Sequence, residues 1–179
     1  VNADIQIGLL LETMEKKDEA TKGLTDLVKE HPNDSEAQTA LGNLQRSRKD
    51  FKGAIDAYSK AIALSKGPEK SLWSLYYYRG IAYERQKLWD KAEADFRQAL
   101  ALSPDAPLVL NYLGYSMIEK KINLNEALGM VKKAVELKPN DGYIVDSLGW
   151  AYFQLGDFEE AANLIERAVD LNPADPIIG

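Results

Sequence analysis

The chain has 179 residues, of which 45% are apolar and 28% charged, and its formal net charge at pH 7 is −6. It has no cysteine and one histidine, so disulfides, thiolate metal sites and sites built from several histidines are excluded. The acidic balance and the scatter of the basic residues argue against general binding of nucleic acid, because that affinity comes from cationic side chains that meet phosphates.

A repeat of about 35 residues runs along the whole chain. Each repeat has a glycine and, roughly twelve residues later, an alanine. The glycines are Gly8, Gly42, Gly80, Gly114 and Gly149, and the alanines are Ala20, Ala54, Ala92, Ala127 and Ala161. A period of this length is typical of stacked units, and we divide the chain into units at about 1–34, 35–68, 69–106, 107–141 and 142–175.

Each unit contains two amphipathic stretches, most clearly the last unit. Small and apolar residues there recur at helical spacing twice, first at Val145, Leu148, Gly149 and Tyr152, and then at Ala161, Leu164, Ile165, Ala168 and Leu171. Gly156 and Asp157 lie between the two stretches as a helix stop followed by an N-cap. The pattern predicts a helix, a short turn and a second helix in every unit.

With its leucine–glycine pair, aromatic, alanines and closing proline, the last unit resembles the tetratricopeptide repeat family, and the resemblance covers essentially the whole chain. The matching residues of that unit are Val145, Leu148, Gly149, Tyr152, Ala161, Ile165, Ala168 and Pro173, and those of the third unit are Tyr76, Gly80, Tyr83, Ala92, Phe96, Ala99 and Pro104. The resemblance implies an all-α fold, a right-handed α-solenoid of five helix-turn-helix tetratricopeptide repeats with ten helices. We expect one solenoid over 1–179, cut from a longer array.

Some units depart from the family pattern. The first unit has Asp4 and Lys17 where large apolar residues are expected, and the third has Arg79 in place of leucine. Four residues are added around 66–69, and we expect them to lengthen the following helix by about one turn. In the fourth unit, Asn123 and Glu126 are spaced as a capping box.

The recurring glycines predict close contact between helices. A glycine inside a helix costs roughly 1 kcal/mol relative to alanine, so a compensating gain is needed at each one. A residue without a Cβ lets a neighbouring backbone approach, and the alanines at the later position allow the same closeness. We therefore predict that the five glycines and five alanines are the repeat-packing residues.

The residues do not suggest an enzyme. His31 precedes Pro32 at a predicted helix end, where the helix dipole favours it. The carboxylates of Glu159 and Glu160, and those of Glu93 and Asp95, are predicted to lie on helix faces that meet water. We expect no catalytic residue, no metal site and no cofactor, and no apolar run reaches the ~18 residues that span a bilayer.

In tetratricopeptide proteins a stripe on each first helix lines a concave groove that receives a peptide or helix. The resemblance places eleven residues of this chain on that stripe as partner-binding candidates: Asn43, Tyr77, Ile81, Glu84, Arg85, Asn111, Tyr115, Ile118, Asp146, Trp150 and Phe153. Many of them are apolar or aromatic, which is typical of interaction sites. The groove is filled either by an external ligand or from within, by neighbouring units or another segment of the same protein.

The predicted function is a protein–protein interaction scaffold that binds an apolar or amphipathic segment in this groove. No lysine or arginine joins Asn43 and Asn111 at the places where family members bind acidic chaperone tails, so that ligand is disfavoured. One alternative is a structural element that self-associates through its repeat ends, and another is a regulatory arm of a larger enzyme. We expect a protein or peptide partner, without nucleic acid or membrane insertion, in the envelope or cytoplasm of a bacterium.

Overall fold

The computed structural model describes residues 16, 18–19, 21–67 and 69–172, and all of the regular secondary structure within them is helical. Helix α1 covers 21–30 of the described residues. It is followed by α2 (Ser35–Ser47), α3 (Phe51–Leu64), a 3-10 helix (Glu69–Leu72), α4 (Trp73–Arg85), α5 (Trp89–Leu102), α6 (Pro107–Glu119), α7 (Leu124–Leu137), α8 (Gly142–Leu155) and α9 (Phe158–Leu171).

Consecutive helices pack against each other in pairs. Helix α2 packs on α3, α6 on α7 and α8 on α9, and each pair is joined by a short turn. The prediction of an all-α, helix-turn-helix fold is confirmed. Of the ten predicted helices, the first helix of the first unit falls outside the described residues, as do Gly8, Ala20 and the departures at Asp4 and Lys17.

Aspartates begin four of the helices. The Asp34 carboxylate accepts hydrogen bonds from the backbone N–H groups of Glu36 and Ala37, at 2.8 and 3.2 Å. The carboxylates of Asp50, Asp141 and Asp157 each accept one from the N–H three residues later. Since the first N–H groups of a helix have no partner within it, these side chains fix where α2, α3, α8 and α9 begin.

The turn inside each described pair has a left-handed residue one or two positions after its first helix ends. These residues are Lys49, Lys87 and Lys121, with φ of 63°, 60° and 55°, and Gly156, with φ of 85°. The turn before α7 has a second left-handed residue, Asn123. Only glycine adopts this conformation without steric cost, so three of the four turns carry strain from a lysine.

The helical stretch before the third pair is longer by the predicted turn, but that turn is the 3-10 helix Glu69–Leu72, which runs directly into α4, and α4 itself has 13 residues, like α2 and α6. The predicted capping box of Asn123 and Glu126 is wrong. Asn123 is the N-cap of α7 but has a left-handed backbone, with φ of 44° and ψ of 51°, and its side chain caps nothing. An N-cap normally has an extended backbone that directs its side chain at the first turn, and Asn123 lacks this geometry. Glu126 pairs instead with Arg97, whose Nη1 lies 2.8 Å from its carboxylate.

The chain divides into two compact units, one up to Asp95 and one from Phe96 onward. The core of the first contains Ala54, Tyr58, Ala61, Leu75 and Ala82. That of the second includes Leu110, Ala134 and Ile144, with Leu100, Met130 and Val135 packed against them.

Close contacts occupy the space beside three of the repeated glycines. A Cβ added to Gly42 would lie 2.7 Å from Cε1 of Tyr58, and one added to Gly149 would lie 2.8 Å from Cγ1 of Ile165. A Cβ on Gly114 would lie 2.7 Å from Cγ2 of Val131 and 2.8 Å from the backbone oxygen of Ala127. Such distances are too short for a real Cβ, so the helices approach through the missing side chains. Gly80 is buried too, as are Ala54, Ala92, Ala127 and Ala161.

Asp95 is buried, so its predicted exposure on a solvated face is wrong. It is 6% exposed and accepts two hydrogen bonds from Arg79, at 2.7 Å from Nε and 2.8 Å from Nη2. Arg79 Nη1 also donates to the Ser59 hydroxyl at 3.0 Å. Burial opposes the charge of Arg79, but its hydrogen bonds with Asp95 and the charge of that residue raise the pKa of Arg79 above its usual value. The arginine that replaces the family leucine therefore joins α4 to α5 through an ion pair.

None of the described helices combines the length and the apolar character needed to cross a membrane.

Candidate functional site

Helices α6 and α8 lie in contact in the second compact unit, although α7 separates them in sequence. Both belong to the first helices of their pairs, whose predicted stripe carries the partner-binding candidates. We define the α6–α8 face as eight residues on these helices: Leu108, Asn111, Tyr115, Glu119, Tyr143, Asp146, Trp150 and Phe153.

The α6–α8 face exposes a large share of its apolar and aromatic side chains. Tyr143 is 52% exposed, Phe153 46%, Leu108 43% and Tyr115 37%. Exposed apolar side chains are ordinary when they are scattered, whereas a contiguous group with aromatic members is typical of a binding site.

Trp150 joins the two helices at this face. Its indole Nε1–H donates a hydrogen bond to the carboxylate of Glu119 at the end of α6. Its ring stacks on Phe153, with centroids 5.3 Å apart and an interplanar angle of 15°, and Phe153 in turn meets the edge of Phe158. The aromatic part of the face is thus held in place by one hydrogen bond and by ring contacts.

Two acceptors of the face have no hydrogen-bond donor within the described residues. The side-chain oxygen of Asn111 is buried and unpaired. The carboxylate of Asp146 is half-buried, and this burial raises its pKa. No hydrogen bond or ion pair with the described residues lowers the pKa again. A carboxylate that has lost part of its water without gaining a partner is an unfavourable arrangement in the unbound protein.

Tyr115 lies in the negative field of this face. The pKa of its hydroxyl is raised by burial first, and then by the charges of Glu119 and Asp146. The face therefore combines exposed aromatic rings with two carboxylates, Glu119 and Asp146.

The structure places the remaining predicted candidates differently. Ile118 is 1% exposed and Tyr77 is 9% exposed, so both are core residues and neither offers an open contact surface. The reason for Ile118 is its position on α6, where it turns inward beside Met117, while Glu119 follows on the outer side. Sequence reasoning missed Glu119, although its place in the unit corresponds to that of Arg85, which was included.

The candidates of the first compact unit are engaged with their own neighbours. Asn43 accepts a hydrogen bond from the Tyr58 hydroxyl at 2.8 Å, and Arg46 Nε donates to the same hydroxyl at 3.2 Å. Glu84 and Arg85 lie beside each other, with Nε of the arginine 3.8 Å from the carboxylate, and Ile81 is half-buried. These residues therefore have fewer side-chain hydrogen-bond acceptors without a partner than the α6–α8 face.

Within the part of the chain that the structure describes, no three His, Asp or Glu residues are grouped as metal ligands. His31 directly follows α1, its backbone N–H donates to the carbonyl of Leu27 at 2.8 Å, and its side chain is exposed.

Comparisons with known proteins agree with the repeat pattern. One tetratricopeptide repeat model matches residues 73–106 and 145–175, and another matches residues 5–68. A tetratricopeptide repeat-containing protein of Pseudomonas aeruginosa is 31% identical over 100 residues, which are 56% of this chain and 17% of that protein. The lipoprotein NlpI homolog of Haemophilus influenzae is 29% identical over 119 residues, 66% of this chain and 37% of that protein. The chain thus spans a minor part of these relatives.

Solved structures show the same arrangement of helices. MamA superimposes with a TM-score of 0.76 at 22% identity, covering 90% of this chain and 92% of that one. YrrB, described as a tetratricopeptide protein with an unusual peptide-binding site, has a TM-score of 0.69 at 19% identity, covering 97% of this chain and 87% of that one. At these identities the likeness concerns the fold. From the matched repeats and the shared helical architecture it follows that this chain belongs to the tetratricopeptide repeat family of protein–protein interaction scaffolds.

Proposed function

We propose that the α6–α8 face is a binding site for an extended or helical segment of a partner protein. The observation that carries the proposal is the group of exposed aromatic and apolar side chains on two adjacent first helices, which includes Tyr115 and Phe153, with the half-buried Trp150 stacked on Phe153. Aromatic residues supply much contact area and lose little rotamer freedom on binding, so they are favoured anchors in interfaces.

The fixed position of Trp150 supports this role. Because its indole is held by Glu119 and by Phe153, little further ordering is needed when a ligand contacts the ring. Internal filling of the face, which the sequence left open, would require another segment over these rings. The exposure of Tyr115, Tyr143 and Phe153 argues that the described residues do not cover them. The peptide-binding site ascribed to YrrB is a precedent for ligand binding by this fold.

A random library of 12-residue peptides displayed on phage tests the proposal. The purified chain should enrich a set of related sequences, and the double variant Tyr115→Ala with Trp150→Ala should enrich none of them. A matched control is Leu137→Ala, which removes an exposed apolar side chain from α7, outside the face. This control should enrich the same sequences as the unchanged protein.

Circular dichroism of all three proteins checks that their helicity is the same. If the double variant retains its helices and still enriches the same peptides, the face is not the binding site. Analytical ultracentrifugation of the unchanged chain at several concentrations distinguishes peptide binding from the alternative of self-association.

A further inference from the structure

We infer that the α6–α8 face selects segments in which a lysine or arginine stands beside apolar residues. This inference rests on the proposed function and adds the charge of the ligand to it. It starts from the two carboxylates, Glu119 and Asp146, that lie among the exposed rings.

The helices that form the face carry no cation. Helix α6 runs from Pro107 to Glu119 and α8 from Gly142 to Leu155, and neither contains a lysine or an arginine. Their charged residues are Glu119 and Asp146 alone. Lys120 and Lys121 follow directly after α6, so the negative charge belongs to the two helices themselves, and there it favours a cation over an anion.

Several cations of this unit are engaged elsewhere. Lys133 pairs with Asp105 at 2.6 Å, Arg97 with Glu126 at 2.8 Å, and Lys132 lies over the ring of Tyr152, 5.2 Å from its centroid. The guanidinium of Arg167 donates to the carbonyl of Pro139. None of these groups pairs with the carboxylate of Asp146.

The partial burial and the negative charge of Asp146 determine which class of ligand the face favours. A neutral apolar segment laid over the face would remove more water from this carboxylate and give nothing in return. An acidic segment would add repulsion from both carboxylates. A lysine or arginine supplies charge-assisted hydrogen bonds to the same oxygens, which are roughly twice as strong as those from a neutral donor, so it offsets the lost hydration best.

The aromatic rings of the face can also bind a lysine or arginine side chain. Lysine and arginine have apolar stems that pack along rings while the charged end reaches an acceptor. The face of an aromatic ring also attracts a cation. Trp150 lies one helical turn after Asp146 on α8, and Tyr115 lies on α6, which contacts α8. A second copy of this chain is disfavoured as the occupant, because docking face to face would bring the carboxylates together.

The library selection is repeated with Asp146→Asn, which preserves shape and removes the charge. The unchanged chain should enrich peptides with lysine or arginine next to aromatic or aliphatic residues, and the variant should retain the apolar preference but lose the basic one. Asp170→Asn is the matched control, since it makes the same change on α9 at an exposed residue outside the face. Its enriched peptides should stay basic.

One enriched peptide is then synthesised with its basic residue either kept or replaced by norleucine, and both are titrated by fluorescence anisotropy. Replacement should weaken binding to the unchanged chain by about tenfold and should change binding to Asp146→Asn by less than about twofold. Circular dichroism confirms that the variants are folded.

The outcomes separate the two claims. Enrichment of neutral or acidic peptides by the unchanged chain overturns the charge selection while the binding face stands. The same is true if norleucine weakens binding equally in both proteins. If no peptide is enriched at all, the proposed function itself fails, and the selection by charge fails with it.

Discussion

Gly114 of α6 lies so close to Val131 of α7 that a Cβ on the glycine would stand 2.7 Å from Cγ2 of the valine. The backbone oxygen of Ala127 is almost as near, and backbone yields less readily than a side chain. We predict that Gly114→Ala destabilises the protein by about 2 kcal/mol, because the clash exceeds the roughly 1 kcal/mol that alanine gains in a helix. Urea denaturation followed by circular dichroism measures the change.

Gly129 provides the control in the same pair of helices. It is inside α7, and a Cβ added there would meet nothing within 4 Å. Gly129→Ala should therefore stabilise the protein, by up to about 1 kcal/mol. Equal effects of the two substitutions would show that the contact between Gly114 and Val131 does not govern this packing.

The ion pair of Arg79 and Asp95 predicts that replacing one partner destabilises the protein much more than replacing both. Arg79→Leu alone leaves Asp95 buried without its cation, and we expect a loss of about 3 kcal/mol in the free energy of unfolding. The double variant Arg79→Leu with Asp95→Leu should recover most of that loss, since apolar residues often replace a buried pair at little cost. Urea midpoints of the two single variants and the double variant measure the coupling, and additive losses would contradict it.

The left-handed lysines predict stabilising substitutions. Lys121→Gly should raise the free energy of unfolding by about 0.5–1 kcal/mol, because glycine relieves the steric cost at φ of 55°. Part of that relief is lost again, because glycine gives the unfolded chain more conformational entropy. Lys120→Gly is the neighbouring control, since Lys120 has φ of −86° and gains no such relief. Thermal denaturation compares the two variants. A gain for Lys120→Gly equal to that for Lys121→Gly would attribute the effect to the lost charge.

The partial burial of Asp146 predicts a pH-dependent difference in stability between the unchanged protein and Asp146→Asn. Burial raises its folded-state pKa above the usual value near 3.8, so the ionised carboxylate destabilises the folded protein at neutral pH. That cost is present above the folded-state pKa, decreases as the pH falls through it, and is absent below the unfolded-state value. Asparagine has no charge to bury. Asp146→Asn should therefore melt about 1 °C higher than the unchanged protein at pH 7, a small shift because the carboxylate keeps part of its water.

Melting temperatures of both proteins without peptide, measured from pH 7 to pH 3, test this expectation. The other carboxylates titrate in both proteins and cancel in the difference. The gap should close as the pH falls. A variant that melts lower than the unchanged protein at pH 7 would mean that Asp146 stabilises the fold through a partner.

The helix pairs were predictable because their signals are local. Aspartates such as Asp157 at helix starts act within a few residues of the chain, and the small residues at Gly42, Gly114 and Gly149 meet the next helix of the same unit. Periodicity then fixes which side of each helix is buried. The separate 3-10 helix and the left-handed Asn123 were not predictable in this way, because inserted residues can form either a longer helix or a turn.

The ion pair was missed because each partner was judged alone. Arg79 stands where other units have Leu41, Leu113 or Leu148, and Asp95 stands where they have Ala57, Met130 or Leu164. Two charged residues of opposite sign in one unit, both at positions that are otherwise apolar, are the signal that indicates a contact between its helices.

For the candidate site, helical spacing placed Tyr115 and Trp150 on first helices, but it did not separate Ile118 from Glu119 at the border of the stripe. Adjacent residues on a helix differ by about 100° in direction, so one faces the core and the next faces water. The contact between Glu119 and Trp150 joins two helices of different units and depends on how those helices pack.

The buried pair also limits how this chain can evolve by recombination between its repeats. Exchange of α4 alone for the first helix of another unit would set a leucine against Asp95, and exchange of α5 alone would leave Arg79 facing an apolar residue. Only transfer of the two helices together keeps both charges satisfied. We therefore expect an exchange of repeats to preserve the stability of the third unit only when α4 and α5 move together.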